Sequence, residues 1–290
     1  MIPINPEKLL ALTIAPVEQR YEAKDCILYA LGVGLGHDPL DPAPLRFVYE
    51  RNLKVLPTFA SVLAYPRDWM TTETTGIDWR KAVHGEQHMR LVRPLSPAAA
   101  VRGTLRIRDV IDKGAEKGAL LVVEHVLTDI ASGAVLNTTT QTIFCRGDGG
   151  FSGAPQSSAK LGVTSAIPER APDHVCDLPT RPEAALIYRL SGDRNPLHVD
   201  PVAARVAGYP RPILHGLASF GVAGHALLKT LCGYDPARLA SIGGRFSAPV
   251  YPGETIRTEM WLTGDDVTFR CRVPERDVAV ISNGVATIKR

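Results

Sequence analysis

The chain has 290 residues and a mass of 31.4 kDa, enough for two domains that each bury a core of their own. With 45% hydrophobic and 22% charged residues it reads as a soluble globular protein, and no apolar run is long enough to cross a membrane. The net charge of +3 is spread without a block of like charges, which excludes a nucleic-acid footprint and suits a phosphorylated small ligand. The opening MIPINPEKLL lacks the basic-then-apolar order of a secretory signal, and Ile288, Lys289 and Arg290 form no peroxisomal address, so a cytoplasmic location is expected. Five scattered cysteines without a CxxC pair predict buried, reduced thiols.

In chain order, each half reads as a short helix, a turn, an apolar helix and then strands. Val101, Gly103, Leu105 and Ile107 alternate with Arg102, Thr104, Arg106 and Arg108, the period of a half-buried strand, and Ala119 to Val126 is an apolar run of strand type. Residues 151–173, dense in Gly, Pro, Ser and Ala, read as a linker between domains at 1–150 and 174–290. Beyond it, Thr180 reads as an N-cap, with Pro182 and Glu183 in the first turn of a helix that runs to about Leu190 and stops at Gly192. Asp193 to His198 is then a tight connection, because Pro196 blocks helix continuation and Asp200-Pro201 opens the next helix. Apolar residues from Leu217 to Leu231 cover most of a helix surface, which predicts a helix buried on nearly all sides with Gly233 as its stop.

Three collinear echoes favour a duplicated domain. Tyr29-Ala-Leu-Gly resembles Tyr188-Arg-Leu-Ser at an offset of 159 (188 − 29), and Val55-Leu-Pro-Thr resembles Ile213-Leu-His-Gly at 158 (213 − 55). Pro94-Leu-Ser-Pro resembles Pro249-Val-Tyr-Pro at 155 (249 − 94).

The Asp193 to His198 turn aims a carboxylate, an amide and an imidazole at one place, a trio suited to activating a single water. The same residues also serve as ordinary turn formers. At the start of the buried helix, the amide of Gly216 can polarise a carbonyl oxygen, since helix N-termini carry unpaired N–H groups and a positive dipole end.

Taken together, Tyr188-Arg-Leu-Ser-Gly-Asp-Arg-Asn-Pro-Leu-His-Val-Asp-Pro, Pro212-Ile-Leu-His-Gly-Leu and Arg245-Phe-Ser-Ala-Pro-Val-Tyr-Pro-Gly-Glu-Thr resemble hydratase 2, the MaoC-like (R)-specific 2-enoyl-CoA hydratases. The first half carries Leu45-Arg-Phe-Val-Tyr-Glu, Leu56-Pro-Thr-Phe, Val83-His-Gly-Glu-Gln and Asp109-Val-Ile-Asp-Lys-Gly, so the resemblance is to the two-hotdog form of peroxisomal multifunctional enzymes. It implies an α+β double hotdog, two antiparallel sheets each wrapped around a central helix. It implies Asp193 and His198 as the catalytic pair, Asn195 as a holder of the water and Gly216 as donor to the thioester oxygen. Acyl-CoA contacts are implied at His84, Gly85, Lys113, Arg194, Pro196, Leu197 and Phe246. Glu50 matches a glutamate of some relatives and reads here as a buried structural carboxylate. The expected reaction is reversible hydration of trans-2-enoyl-CoA in fatty-acid β-oxidation, by a cofactor-free, metal-free homodimer without a nucleic-acid or membrane partner. An acyl-CoA thioesterase and a non-catalytic acyl-CoA binder on the same fold are the alternatives.

Gly32-Val-Gly-Leu-Gly-His lacks the spacing of a dinucleotide loop, and Ser219 lacks the setting of a hydrolase nucleophile. His84 and His88 have no HExxH order. In the repeat register Gly34 and Gly36 stand where Asp193 and Asn195 stand, and Thr58 stands opposite Gly216. One active site per chain is therefore expected, with a first half that accommodates acyl chains.

Overall fold

The computed structural model of the chain describes residues 4–72, 75–154, 156 and 166–289. The first half contains α1 (Pro6–Leu10), β1 (Val17–Tyr21), α2 (Ala23–Gly32), α3 (Pro42–Leu45), β2 (Ala82–Leu91), β3 (Ala99–Asp112), β4 (Ala119–Asp129) and β5 (Val135–Cys145). The second contains β6 (His174–Pro179), α4 (Ala184–Tyr188), α5 (Pro201–Val206), α6 (Gly216–Leu231), β7 (Leu239–Phe246), β8 (Thr255–Thr263), β9 (Asp266–Val273) and β10 (Val278–Ile288). Each half is one hotdog unit, and the two share the same strand order, β1-β3-β4-β5-β2 and β6-β8-β9-β10-β7. The expected two sheets are in fact one. β2 and β7 pair antiparallel from Glu86↔Arg245 to Arg90↔Ser241, which makes a continuous ten-stranded sheet and satisfies two strand edges at once.

The alternation in β3 is as expected: Val101, Leu105 and Ile107 are buried, while Arg102, Thr104, Arg106 and Arg108 face solvent. In the second half α6 fills the concave face and is buried along most of its length. It is shared between the halves, because a Cβ on Gly221 would lie 2.6 Å from Val33 Cγ1 and one on Gly224 2.7 Å from Thr58 Cγ2. Gly233, at φ 57°, follows its C-cap.

The first half departs from the expected central helix. Its apolar run yields only a 3₁₀ turn over Pro57–Ser61, and Pro66 ends any continuation. Ile4, Leu9, Trp69 and Ile77 fill the concave face instead, against Leu105, Ile107, Leu121, Val123 and Ile143.

Two smaller expectations are corrected. Thr180 is not the cap of α4, which Glu183 precedes directly; its hydroxyl donates to the Glu254 carbonyl at 2.7 Å and accepts from the Gly253 amide at 3.0 Å. Glu50 is exposed rather than buried. All five cysteines are free and buried. Of the expected linker, residues 155 and 157–165 lie outside the described residues. No helix among the described residues is long and apolar enough to cross a membrane.

Candidate active site

α4 tightens into a 3₁₀ turn and ends at Gly192, whose φ of 124° is open to glycine at little cost. The next five residues are tied by their own side chains. Asp193 Oδ1 accepts from the Asn195 amide at 3.1 Å, and Asn195 Oδ1 caps the turn Pro196–His198 by accepting from the Leu197 amide at 3.0 Å. The outcome is a loop that leaves Asp193 half-buried and turns His198 toward the interior.

His198 is 8% exposed, and its Nδ1–H donates to the Ile213 carbonyl at 2.8 Å. That bond fixes the tautomer: Nε2 carries the lone pair and faces Asp193 Oδ2 at 3.9 Å. Burial lowers the pKa of His198, against the upward pull of the Ile213 carbonyl and of Asp193, so the imidazole is neutral at neutral pH.

His215, immediately before α6, stacks on His198 with ring centroids 3.7 Å apart and planes 26° from parallel. Its Nε2–H donates to the Asp193 carbonyl at 3.1 Å, and burial together with the neighbouring His198 takes its pKa down to about 4. Asp193, His198 and His215 bring one ligand atom each within 4.8 Å of one another. The His198 Nε2 lone pair and the Asp193 carboxylate face each other, a pair suited to acid–base work.

α6 begins at Gly216, and its first intrahelical bonds come from the amides of Ala218 and Ser219 to the His215 carbonyl. The Gly216 amide precedes that ladder and lies at the positive end of a 16-residue helix. A Cβ on Gly216 would lie 3.4 Å from the Phe246 ring, so Phe246 roofs the helix start.

The first half reaches the same place. The β2–β5 register shifts between His84 and Glu86, a bulge at Gly85 that turns His84 against Phe246 with ring centroids 4.9 Å apart. His84 Nε2–H donates to the Glu86 carbonyl at 3.1 Å, and burial brings its pKa down to about 4. From Phe246 and Gly85 a cleft of about 660 Å³ runs outward past Thr142 and Phe144 to Lys113, Lys117, Arg146 and Arg245. Arg245 Nε and Nη2 both donate to Glu86 Oε1 at 2.6 Å and so join the halves at the cleft wall.

Of the residues singled out in the sequence, Gly85, Lys113 and Phe246 line this cleft, His84 and Gly216 adjoin it through the Phe246 ring, and Asp193 and His198 face each other on the loop before α5, outside the cleft lining. Arg194, Asn195 and Pro196 are exposed and Leu197 half-buried; none of the four contributes to the cleft lining. His215, Lys117, Arg146 and Arg245 were not anticipated. His215 adjoins Gly216 in the LHG motif and Arg245 adjoins Phe246 in the Arg245-Phe-Ser motif, which could have flagged both; Lys117 and Arg146 carry no local signal.

A family model described as "MaoC like domain" matches residues 163–284, and one described as "MFE-2 hydratase 2 N-terminal domain" matches residues 19–147. The chain is 40% identical to the peroxisomal enoyl-CoA hydratase 2 of Arabidopsis thaliana, over 97% of this chain and 94% of that protein. It is 40% identical to peroxisomal multifunctional enzyme type 2 of Mus musculus over 91% of this chain, which spans 36% of that longer protein. A crystal structure of a MaoC-like dehydratase from Phytophthora capsici superposes with a TM-score of 0.84 at 33% identity, covering 99% of each chain.

Proposed function

The chain belongs to the MaoC-like hydratase 2 family, and on that premise we propose that it hydrates trans-2-enoyl-CoA to (3R)-3-hydroxyacyl-CoA and catalyses the reverse dehydration. The observation that carries the reading is the pair formed by the Asp193 carboxylate and the neutral His198 Nε2. Both are acceptors, 3.9 Å apart, so one water can donate a hydrogen bond to each while its oxygen faces the β-carbon. As the C–O bond forms, that water gives up a proton to the pair, and a proton returns from the pair to the α-carbon. His198 suits the shuttle, because its imidazolium would sit against Asp193 and keep its bond to the Ile213 carbonyl. The Gly216 amide at the start of α6 stabilises negative charge on the thioester oxygen.

The 660 Å³ cleft suits the CoA moiety: its aromatic inner end at His84 and Phe246 fits the pantetheine arm, and Lys113, Lys117, Arg146 and Arg245 fit the phosphates. The other side of the Asp193 loop borders a second cavity of about 250 Å³, lined by apolar Leu28, Phe59, Val62 and Leu190 and by polar Gln19, Asp25 and Arg67. It supports acyl-chain accommodation in the first half, domain 1–150, with catalysis in domain 174–290. Gly34 and Gly36, at φ 89° and 68°, carry no proton-handling group, which supports one site per chain. The proposal extends to a cytoplasmic homodimer, which cell fractionation and sedimentation velocity test.

Crotonyl-CoA with the purified chain is the decisive experiment. A (3R)-3-hydroxybutyryl-CoA product bears the reading out, whereas free CoA without it points to a thioesterase and neither product to a binding protein.

A further inference from the structure

The carboxylate of Asp193 is only as well placed as the backbone that bears it. Its orientation follows from φ and ψ of residue 193, and these follow from the two peptide planes on either side of its Cα. Both planes are held by side chains from outside the loop. The carbonyl of Gly192 accepts from Arg67 Nη1, and the carbonyl of Asp193 accepts from His215 Nε2 at 3.1 Å.

Neither holder is loose. Arg67 lies between two anchors of the first half, Tyr65, whose hydroxyl donates to Gln141 Oε1 at 2.7 Å, and Trp69, which is 6% exposed in the core cluster under β3 and β4. Arg67 makes no ion pair with a carboxylate among the described residues, so its guanidinium is kept for the carbonyl. On the other side of the contact, the Arg67 guanidinium packs directly against Gly192. His215 is 1% exposed and wedged between the His198 and Tyr188 rings.

Resting on the hydratase reading above, we propose that Arg67 and His215 are positioning residues that clamp the two peptide planes flanking Asp193, and that through Arg67 the first half sets the aim of a carboxylate in the second. The first half is then more than a container: it contributes one jaw of the clamp.

The test measures kcat and KM on crotonyl-CoA for wild type, Asp193→Asn, Arg67→Ala, Arg67→Lys and His215→Phe, with thermal melts alongside. Arg67 is exposed, so Arg67→Ala is expected to keep its fold. It should lower kcat roughly 10- to 100-fold, the cost of a misaimed group, with KM within about twofold of wild type. Arg67→Lys, which still donates, should keep most of the rate, and about 10 mM guanidinium ion should restore part of the loss in Arg67→Ala. His215→Phe keeps the stack but not the donor and should also lose kcat. Wild-type kcat in Arg67→Ala, a raised KM at unchanged kcat, or a loss that guanidinium does not touch and a lowered melting temperature accompanies would each overturn the clamp. An inactive wild type would overturn the hydratase reading and the clamp with it. Active wild type, dead Asp193→Asn and normal Arg67→Ala would overturn the clamp alone.

Discussion

Tyr29 and Tyr188 occupy equivalent positions of the two halves, and their rings meet at the centre of the molecule with centroids 5.7 Å apart and planes 51° from parallel. Both are fully buried. α2 and α4 pack against each other there, and Gly32 lets Tyr188 approach to 3.3 Å from where a Cβ would be.

Asp193→Asn and His198→Gln should each lower kcat for crotonyl-CoA by roughly 10²- to 10⁴-fold, the range for general acid–base groups. Both variants should still bind a non-reacting acyl-CoA analogue with wild-type stoichiometry. Near-normal turnover in either removes that residue from the pair.

Gly216→Ala should fold, since its methyl would rest 3.4 Å from the Phe246 ring, and should lower the rate moderately by narrowing access to the amide. Gly216→Val must displace Phe246 and should abolish turnover at a melting temperature near that of the alanine variant. Equal turnover in the two would show that no oxygen approaches this amide.

Lys117→Glu with Arg146→Glu should raise KM for every enoyl-CoA by a similar factor and leave kcat unchanged, because these cations line the cleft far from the reacting pair. The wild-type KM should rise with added salt, and the double variant should lose most of that sensitivity. A salt-independent wild-type KM would place the phosphates elsewhere.

Leu190→Ala and Phe59→Ala should change turnover of long or bulky enoyl-CoAs far more than that of crotonyl-CoA. Leu190 is 52% exposed, so its variant separates substrate effects from stability; Phe59 is 3% exposed, and its truncation should also cost about 3–5 kcal/mol. A proportional loss on all chain lengths in Leu190→Ala would make this cavity irrelevant to the acyl group.

Acid should unfold the protein through its buried imidazoles. His125, His215 and His225 are each brought down from 6.5 to about 4, with burial the largest cause. Between those values the unfolded chain binds more protons than the folded one, so stability is fully present above pH 6.5 and falls as pH drops from 6.5 toward 4. Urea midpoints should be level from pH 7 to 8 and fall steeply by pH 5. A level midpoint down to pH 5 would contradict neutral burial of these rings.

The sequence made the loop chemistry legible because loop residues act over short spans. Gly192, Asp193, Asn195, Pro196 and Asp200 each bond or bend within a few positions, and all do so as their residue types dictate. Strand alternation in β3 and the buried girth of α6 were equally readable. Thr180 misled because a cap-like residue before a helix also caps by pairing across the fold, here with Glu254 and Gly253. Merging of the two sheets left no trace, since main-chain pairing of β2 with β7 is indifferent to side chains. Arg67 and Arg245 bond partners 125 and 159 residues away, which no local pattern names.

The seam between β2 and β7 has a consequence for how this molecule can change over generations. In an assembly of identical subunits every substitution is made twice, once on each side of the symmetry axis, so a residue that helps one copy must be tolerated by the other. Here the partners across the seam are encoded separately. A glycine can settle at position 34 without erasing the aspartate at 193, and Arg67 can lean on its neighbour without being leaned upon in return. Tethering thus frees each half to be selected for its own task.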